Sequence, residues 1–336
     1  MSRQQAEATA PGRVDLAGAP LDVWPVSLFH PGAVTVSVAV DRRAWCRVEI
    51  GGEGVEVESK DTLHKASAPR VDELMGSGTS SLVAHVLRAL EVESGVRVVT
   101  QSRVPSGAGL GGSSALAVAV AAAVSAALGR AVDPDRLWPL VRDAETRCLG
   151  TPTGPRDYQP ALRGGTLALH GEPGQARVES LAVDPARVEE SLLLVDSGTP
   201  GGSGLSDWDA VKGQIDGDRR VREALATLAG VARGVREALV EGRFEDVVDL
   251  FAADWETRKR VAPGVTTPQI DRIAEVARGA GGAAKPCGSS GGSVVAVWAP
   301  PGDRGPGRRE AALEALTSAG FRVFPARVDL RGLEVA

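Results

Sequence analysis

The sequence has few cysteines, no excess of basic residues and no long hydrophobic run. Its three cysteines, Cys46, Cys148 and Cys287, lie far apart without metal-ligand spacing, which predicts free thiols in a reducing compartment. The formal net charge of −5 argues against binding to nucleic acids or to an anionic membrane. The first ten residues contain no apolar core, so we expect no signal peptide. The apolar run from Ala115 to Leu128 is too short and too alanine-rich to span a bilayer, and we expect a cytoplasmic protein.

Composition and patterning predict a mixed α and β protein. The chain has 336 residues, 43% of them hydrophobic and 24% charged, which is typical of a soluble protein with one large or two medium domains. The first half is rich in strand patterns, and residues 34–50 are typical of paired strands. It also contains one predicted helix, between Asp133 and Gly150. The second half contains three helical patterns and then a strand, a helix and a strand. We place the domain boundary near residue 190, which gives domains 1–189 and 190–336.

A glycine-rich loop precedes the alanine-rich run. Five of the six residues from Gly107 to Gly112 are glycine or alanine, and two serines follow. Such a loop can be a tight turn packed against other backbone, or a cradle in which amide groups and a helix N-terminus bind an anion. The second interpretation favours a polyphosphate ligand. The residues assigned to the cradle are Pro105, Gly107, Ala108, Gly109, Leu110, Gly111, Gly112, Ser113 and Ser114.

Two common nucleotide motifs do not fit this loop. "GAGLGG" matches G-x-G-x-x-G, but Pro105 breaks the preceding strand and no β-α-β unit with a second acidic strand end follows, so we reject a dinucleotide site. No glycine run is followed by G-K-[ST], which excludes a Walker loop.

Three stretches, in order along the chain, resemble the signatures of the GHMP kinase superfamily, which includes galactokinase, homoserine kinase, mevalonate kinase and phosphomevalonate kinase. They are "APGRVDLAGAPLD" (residues 10–22), "VPSGAGLGGSSA" (residues 104–115) and "AKPCGSSGGS" (residues 284–293). The resemblance implies an α+β fold of two domains, an N-terminal ribosomal-protein-S5-like domain and a C-terminal ferredoxin-like domain. It also implies an ATP- and Mg²⁺-dependent kinase, with residues 107–112 around the β- and γ-phosphates.

The resemblance further implies a magnesium site. Ser113 is the candidate hydroxyl ligand, with Ser114 as the second choice, although either serine could be only a helix N-cap. In "DAETRCLG" the family pattern nominates Glu145 as the carboxylate ligand, whereas a glutamate on an amphipathic helix is usually solvated surface.

The candidate base is Asp157, in "GTPTGPRDYQPALRGG". Gly154 and Asp157 keep the G-x-x-D spacing of the sugar-kinase branch, but an aspartate in a proline- and glycine-rich loop can also be a turn residue. Arg13, which matches an arginine of the family pattern, and Arg156, which matches none, could keep this carboxylate ionised or stabilise the transferring charge. We therefore assign catalysis to Asp157 and Arg13.

The stretch from Arg13 to Asp22, which fits R-x-[DS]-x-A-G-x-x-x-D, is most similar to the corresponding stretch of fucose and heptose-phosphate kinases. Asp22 occupies the position where sugar-kinase members hold a sugar hydroxyl, and the substrate set is Asp22, Arg13, Asp157, Gly288, Ser289 and Ser290. We also expect residues 196–208 to border the acceptor pocket, with Asp196 and Trp208 as candidates, and residues 60–85 to contribute to the adenine pocket. The sequence thus predicts a kinase for a sugar or a sugar phosphate, as a monomer or homodimer. The alternatives are a mevalonate- or phosphomevalonate-type kinase and a non-catalytic ligand sensor.

Overall fold

A computed structural model describes residues 4–76, 78–105, 107–172, 176–198, 205–288, 291–301 and 307–336. The strands are β1 (Gln4–Ala17), β2 (Val34–Ile50), β3 (Val55–Ser59), β4 (His64–Ala68), β5 (Val96–Ser102), β6 (Thr166–His170), β7 (Arg177–Ser180), β8 (Leu192–Asp196), β9 (Ala283–Gly288), β10 (Gly291–Trp298), β11 (Arg322–Pro325) and β12 (Glu334–Val335). The helices are α1 (Val26–Phe29), α2 (Gly78–Ala89), α3 (Gly112–Ala127), α4 (Pro134–Leu149), α5 (Gln159–Arg163), α6 (Pro185–Ser191), α7 (Leu205–Asp216), α8 (Arg219–Val240), α9 (Asp246–Val261), α10 (Pro268–Gly279) and α11 (Arg308–Ser318).

The N-terminal sheet is built around two long strands. Its order is β12-β1-β2-β5-β3-β4, and β6 pairs with β2 and carries β7. Residues 34–50, which the sequence predicts as paired strands, form the single strand β2. The register against β1 shifts between Pro11 and Gly12, and their partners change from Arg43 to Val40. The intervening residues are therefore taken up in a bulge and not in a turn.

Helix α3 is buried against this sheet, as its composition predicts. Its alanine and valine side chains from Ala117 to Val124 are all buried, because small side chains allow the helix backbone to lie close to β1 and β2. Helix α4 begins and ends as predicted: the Asp133 side chain accepts a hydrogen bond from the Asp135 amide at 2.9 Å, and Gly150 ends the helix in the left-handed conformation.

The second sheet is antiparallel, with the order β11-β8-β10-β9. Helices α7, α8, α9 and α10 connect β8 to β9, and α11 connects β10 to β11. This βαββαβ arrangement is the predicted ferredoxin-like one, and the predicted α+β fold of two domains is confirmed.

The domain division at residues 189 and 190 stays a prediction. Helix α6 crosses that point, and the end of the chain returns to the first sheet, where β12 pairs with β1 and Val328 forms a bridge with Val40. Within the described residues, no helix has the length and apolar character that a membrane span requires.

Candidate active site

The glycine loop between β5 and α3 alternates in backbone conformation. Gly107, Gly109 and Gly111 have φ angles of 71°, 78° and 68°, a region that residues with a Cβ rarely occupy. The glycines at these three positions are therefore required by the path of the chain and not only by small size.

The carbonyl groups of this loop face the protein. Four in succession accept hydrogen bonds: Gly107 from the Ser293 amide at 2.9 Å, Ala108 from the Val294 amide at 3.1 Å, Gly109 from the Arg13 side chain and Leu110 from the Arg13 amide at 2.8 Å. In a planar trans peptide the next amide N–H points the opposite way. The amides of residues 109–111 therefore face the other side of the loop, beside the N-terminus of α3, where an anion could bind.

The third signature packs directly on the carbonyl side of the loop. Its described residues belong to β9 and β10, which pair as an antiparallel hairpin. A Cβ added to Gly288 would lie 2.9 Å from the Gly109 oxygen, and one added to Gly292 would lie 2.6 Å from the Ala108 oxygen. The tight-turn interpretation thus holds on the carbonyl side of the loop. The predicted substrate residues Ser289 and Ser290 lie outside the described residues.

Arg13 connects all three signatures. Its Nη1 donates to the carbonyl oxygens of Gly109 and, at 3.3 Å, of Cys287, and its Nη2 donates to Asp157 Oδ1 at 2.6 Å. Its Nε lies 3.1 Å from Asp15 Oδ1. A single buried guanidinium therefore holds the glycine loop, the hairpin and the predicted base in one arrangement.

The Asp157 carboxylate is held in its charged form. Burial alone would raise the pKa of Asp157, but the charges of Arg156 and Arg13 and the hydrogen bond from Arg13 outweigh burial and lower it. Asp157 lies in a 3₁₀ turn at Pro155–Asp157, directly after α4. An ionised carboxylate at this position can accept a hydrogen bond from an acceptor hydroxyl.

Arg156 is the centre of an aspartate cluster. Its side chain contacts Asp22 Oδ1 at 2.5 Å, Asp207 Oδ2 at 2.8 Å and Asp15 Oδ2 at 3.3 Å, and its amide donates to Asp22 Oδ2 at 2.9 Å. Burial would lower the pKa of Arg156, but the surrounding aspartates raise it well above its ordinary value. Asp22, predicted to hold a sugar hydroxyl, is therefore bound mainly by Arg156.

The G-x-x-D spacing has a steric cause. A Cβ on Gly154 would lie 2.3 Å from Asp22 Oδ2. Only glycine allows the loop to pass this carboxylate while Asp157, three residues later, reaches Arg13.

Glu145 and the serines of α3 lie together. Glu145 Oε2 accepts hydrogen bonds from Ser114 Oγ and from the Tyr158 hydroxyl, both at 2.7 Å. Burial raises the pKa of Glu145, and hydrogen bonding from Ser113 and Ser114 opposes that shift. Ser114 is buried, whereas Ser113 is exposed.

These groups offer hard oxygen donors for a divalent cation. No group of three or more His, Cys, Asp or Glu side chains is arranged to hold a metal ion anywhere in the described part of the chain. Magnesium in phosphoryl-transfer enzymes is typically bound by one or two carboxylates together with phosphate oxygens of the substrate. One buried glutamate beside two serine hydroxyls fits that requirement.

The structure adds residues that sequence reasoning missed. Asp15 lies in the first signature stretch but was given no role, and Asp207 directly precedes the predicted Trp208. Trp208 itself is half exposed, and Asp196 pairs with Arg322 at the edge of the second sheet. Neither of these two candidates joins the aspartate cluster.

Two buried basic residues of the C-terminal domain were also missed. Lys285 Nζ contacts Asp254 Oδ2 at 2.5 Å, and Asp254 Oδ1 accepts the Gly18 amide at 2.9 Å. Arg258, on α9, donates to the Gly288 carbonyl oxygen at 2.5 Å. Lys285 lies within the third signature stretch but was given no role there. No local sequence signal marked Arg258, because its position depends on how α9 packs against β9.

Comparisons with known families agree with the three signatures. A model of the GHMP kinases N terminal domain matches residues 75–165, and a model of the GHMP kinases C terminal domain matches residues 235–322. Together they cover more than half of the chain.

Individual relatives point in the same direction. The chain is 29% identical to a mevalonate kinase from Aeropyrum pernix, over 70% of this chain and 65% of that one. It is also 29% identical to the galactokinase of Mycobacterium tuberculosis, over 93% of each chain. A crystal structure of a D-glycero-D-manno-heptose 1-phosphate kinase from Bacteriodes thetaiotaomicron superposes with a TM-score of 0.76 at 22% identity, over 98% of both chains.

Proposed function

This chain belongs to the GHMP kinases, and we propose that it transfers the γ-phosphoryl group of ATP to a hydroxyl group of a sugar or a sugar phosphate. Membership makes it a phosphotransferase that acts on a hydroxyl group. The observation that carries the proposal is the placement of Arg13, whose guanidinium contacts the glycine loop, the β9 strand and Asp157.

The proposed reaction is an in-line transfer from a phosphate held by the glycine loop to a hydroxyl group held by Asp157. The amides of residues 109–111 and the N-terminus of α3 would hold the terminal phosphates. Asp157 would accept a hydrogen bond from the acceptor hydroxyl, orient it towards the γ-phosphorus and take its proton as the new O–P bond forms and the bond from the γ-phosphorus to the departing ADP breaks. Arg13 would balance the charge of Asp157 and of the phosphoryl group in transit.

Glu145 and Ser113 are the proposed ligands of Mg²⁺. Ser113 is preferred to Ser114 because its side chain is exposed, whereas Ser114 is buried. The ion would supply neutralisation of phosphate charge.

The sugar assignment is supported by the galactokinase relative, which matches over 93% of this chain, compared with 70% for the mevalonate kinase. The aspartate cluster around Arg156 also suits a polyhydroxylated acceptor, because carboxylates accept hydrogen bonds from hydroxyl groups. The adenine-pocket segment, the cytoplasmic location and the oligomeric state stay predictions from the sequence.

The test is ADP formation from ATP and Mg²⁺ with a panel of free hexoses, heptose phosphates, uronic acids and mevalonate. We expect turnover of at least one sugar or sugar derivative and none of mevalonate. Turnover of mevalonate alone would favour the mevalonate-type alternative. Equilibrium binding of Mg·ATP and an acceptor without any product would favour the sensor.

A further inference from the structure

Tyr158 is the only tyrosine of the chain, and it is completely buried. It follows the 3₁₀ turn that carries Asp157, and its ring belongs to the same hydrophobic cluster as the alanines of α3. Its hydroxyl group donates a hydrogen bond to Glu145 Oε2 at 2.7 Å. The residue next to the proposed base therefore contacts the proposed carboxylate ligand of Mg²⁺.

A ring of hydrogen bonds connects this hydroxyl group back to α4. Thr153 Oγ1 lies 2.8 Å from the Tyr158 hydroxyl oxygen, and Thr146 Oγ1 lies 3.1 Å from Thr153 Oγ1. Because Tyr158 donates its one proton to Glu145, it must accept from Thr153. Thr153 in turn accepts from Thr146, the residue next to Glu145. Hydrogen bonds that run in one direction strengthen one another, so the ring holds Tyr158 firmly against α4.

The oxygen atom Oε2 of Glu145 is already saturated. It accepts from the Tyr158 hydroxyl and from Ser114 Oγ, both at 2.7 Å, and a carboxylate oxygen has about two lone pairs in its plane. Two donors on one oxygen also fix the orientation of that plane. Any further ligand of the Glu145 carboxylate must therefore use Oε1.

The donors around Glu145 are neutral. Glu145 is buried, and no lysine, arginine or histidine nitrogen of the described residues forms an ion pair with it. Hydroxyl groups favour the charged form of a carboxylate without neutralising it, and a buried charge is costly until a counter-charge is present. Hydrogen bonding also reaches Glu145 from Ser113, which is exposed at the N-terminus of α3. The charge of Glu145 is thus kept for a cation that approaches along the exposed hydroxyl.

We propose that Tyr158 is the positioning residue of the cation site, whose hydroxyl group holds Glu145 so that Oε1 is presented to Mg²⁺. Because Tyr158 adjoins Asp157, the same residue keeps the metal ligand and the base in one arrangement. This inference rests on the proposed function and adds a residue to its machinery. In this role Tyr158 acts through Glu145 and takes no part in proton transfer.

The first test is Tyr158→Phe, which removes the hydroxyl group and keeps the ring in the core. The measurement is the dissociation constant of Mn²⁺, a paramagnetic substitute for Mg²⁺, from the whole enzyme with ADP bound, determined by electron paramagnetic resonance. We expect this constant to rise by about 10- to 100-fold, as is typical when the partner of a metal ligand is removed. The affinity for ADP without a divalent cation should stay within about threefold.

Ser191→Ala is the matched control for loss of a buried hydroxyl group. Ser191 is completely buried, and its hydroxyl group donates to the Arg187 carbonyl oxygen at 2.8 Å within α6. The variant should lower the temperature of unfolding, as Tyr158→Phe does, but its dissociation constant for Mn²⁺ should stay within about threefold of wild type. A merely structural role of Tyr158 would leave both variants with the Mn²⁺ affinity of wild type.

The wild-type enzyme offers a second measurement, because a single tyrosine gives a single signal. Protein labelled with [ζ-¹³C]tyrosine reports on the carbon atom that bears the Tyr158 hydroxyl group. We expect Mg²⁺ with ADP to shift this resonance and Mn²⁺ with ADP to broaden it, and both effects to be lost in Glu145→Gln. If Tyr158→Phe does not fold, this measurement decides.

The outcomes separate this inference from the proposed function. A folded Tyr158→Phe enzyme that binds Mn²⁺ as tightly as wild type would reject the inference alone. A tyrosine resonance that neither cation changes, in an enzyme that phosphorylates a sugar, would also reject it alone. No turnover of any sugar by a folded wild type that binds Mg·ATP would reject the proposed function, and the inference with it.

Discussion

Replacement of Asp157 by asparagine tests the assignment of the base with little change of shape. Asparagine keeps the size of the side chain and can still accept the hydrogen bond from Arg13 Nη2, which spans 2.6 Å in the native site. It cannot take a proton from the acceptor hydroxyl. We expect kcat to fall by roughly 10²–10⁴, which corresponds to about 3–5 kcal/mol in the activation barrier.

The stability of the variant should change much less than its rate. The pKa of Asp157 is lowered in the folded protein. Its ionised form therefore stabilises the fold above the ordinary pKa of an aspartate, and this contribution is lost as the pH falls through the lowered value. Asparagine removes that contribution at pH 7. Because Arg13 keeps its contact with Asp15, no charge is left unpaired, and we expect a loss of about 1–2 kcal/mol.

The assay is steady-state ADP release with an acceptor from the panel, combined with calorimetry of Mg·ATP binding and thermal unfolding. The affinity for Mg·ATP should stay within about threefold, since Asp157 is not assigned to phosphate binding. Asp249→Asn, at an exposed position of α9, is the control for loss of one negative charge. A folded Asp157→Asn enzyme with kcat within threefold of wild type would refute the role of Asp157 as base.

Three further predictions follow from separate parts of the structure. Ser113→Ala should raise the Mg²⁺ concentration that half-saturates ADP release by at least about tenfold. The increase should be larger than in Ser114→Ala, and the reverse order would assign the metal to Ser114. Gly292→Ala should lower the free energy of unfolding by about 1–3 kcal/mol in a denaturant titration, because its φ of +135° and a carbonyl oxygen 2.6 Å from the new Cβ both oppose a side chain. Gly279→Ala, the control with open space around the new Cβ, should be neutral or stabilising. Equal effects of the two substitutions would contradict the packing described. The pKa of Glu179 is lowered to about 2, first by hydrogen bonding from Arg236 of α8. Glu179→Gln should therefore lower the free energy of unfolding by about 0.5 kcal/mol at pH 7, and this difference from wild type should vanish as the pH falls from about 4 towards 2. A difference in unfolding free energy that does not change with pH would argue against the ion pair.

Much of the glycine loop was predictable from local sequence. The glycines of the loop are identified because a left-handed backbone requires them at alternate positions, as the φ angles of Gly107, Gly109 and Gly111 show. The ends of α4 were predictable for a similar reason, since an aspartate N-cap and a glycine C-cap act within a few residues of the chain. Local rules failed for residues 34–50, where strand and bulge share one composition and only the pairing with β1 separates them.

The aspartate cluster around Arg156 was less predictable. Arg156 had no support from the family pattern, yet it binds Asp22, from the end of the first signature, and Asp207, from α7. Asp22 was expected to face a sugar, and it faces Arg156. Contacts of this kind join residues that are 51 and 134 positions apart in the chain, and no periodicity or spacing reports them.

The sequence by itself determined the class of chemistry: three short signatures whose glycines, serines and charged residues serve the backbone and groups close to them. Tertiary structure decided which charges are paired and which are not. Arg13 and Arg258 donate to neighbouring carbonyl oxygens, those of Cys287 and Gly288, but only Arg13 also meets carboxylates. The physical reason is that the cost of a buried charge depends on every group packed around it, and those groups come together only when β1, α9 and the β9–β10 hairpin pack against one another.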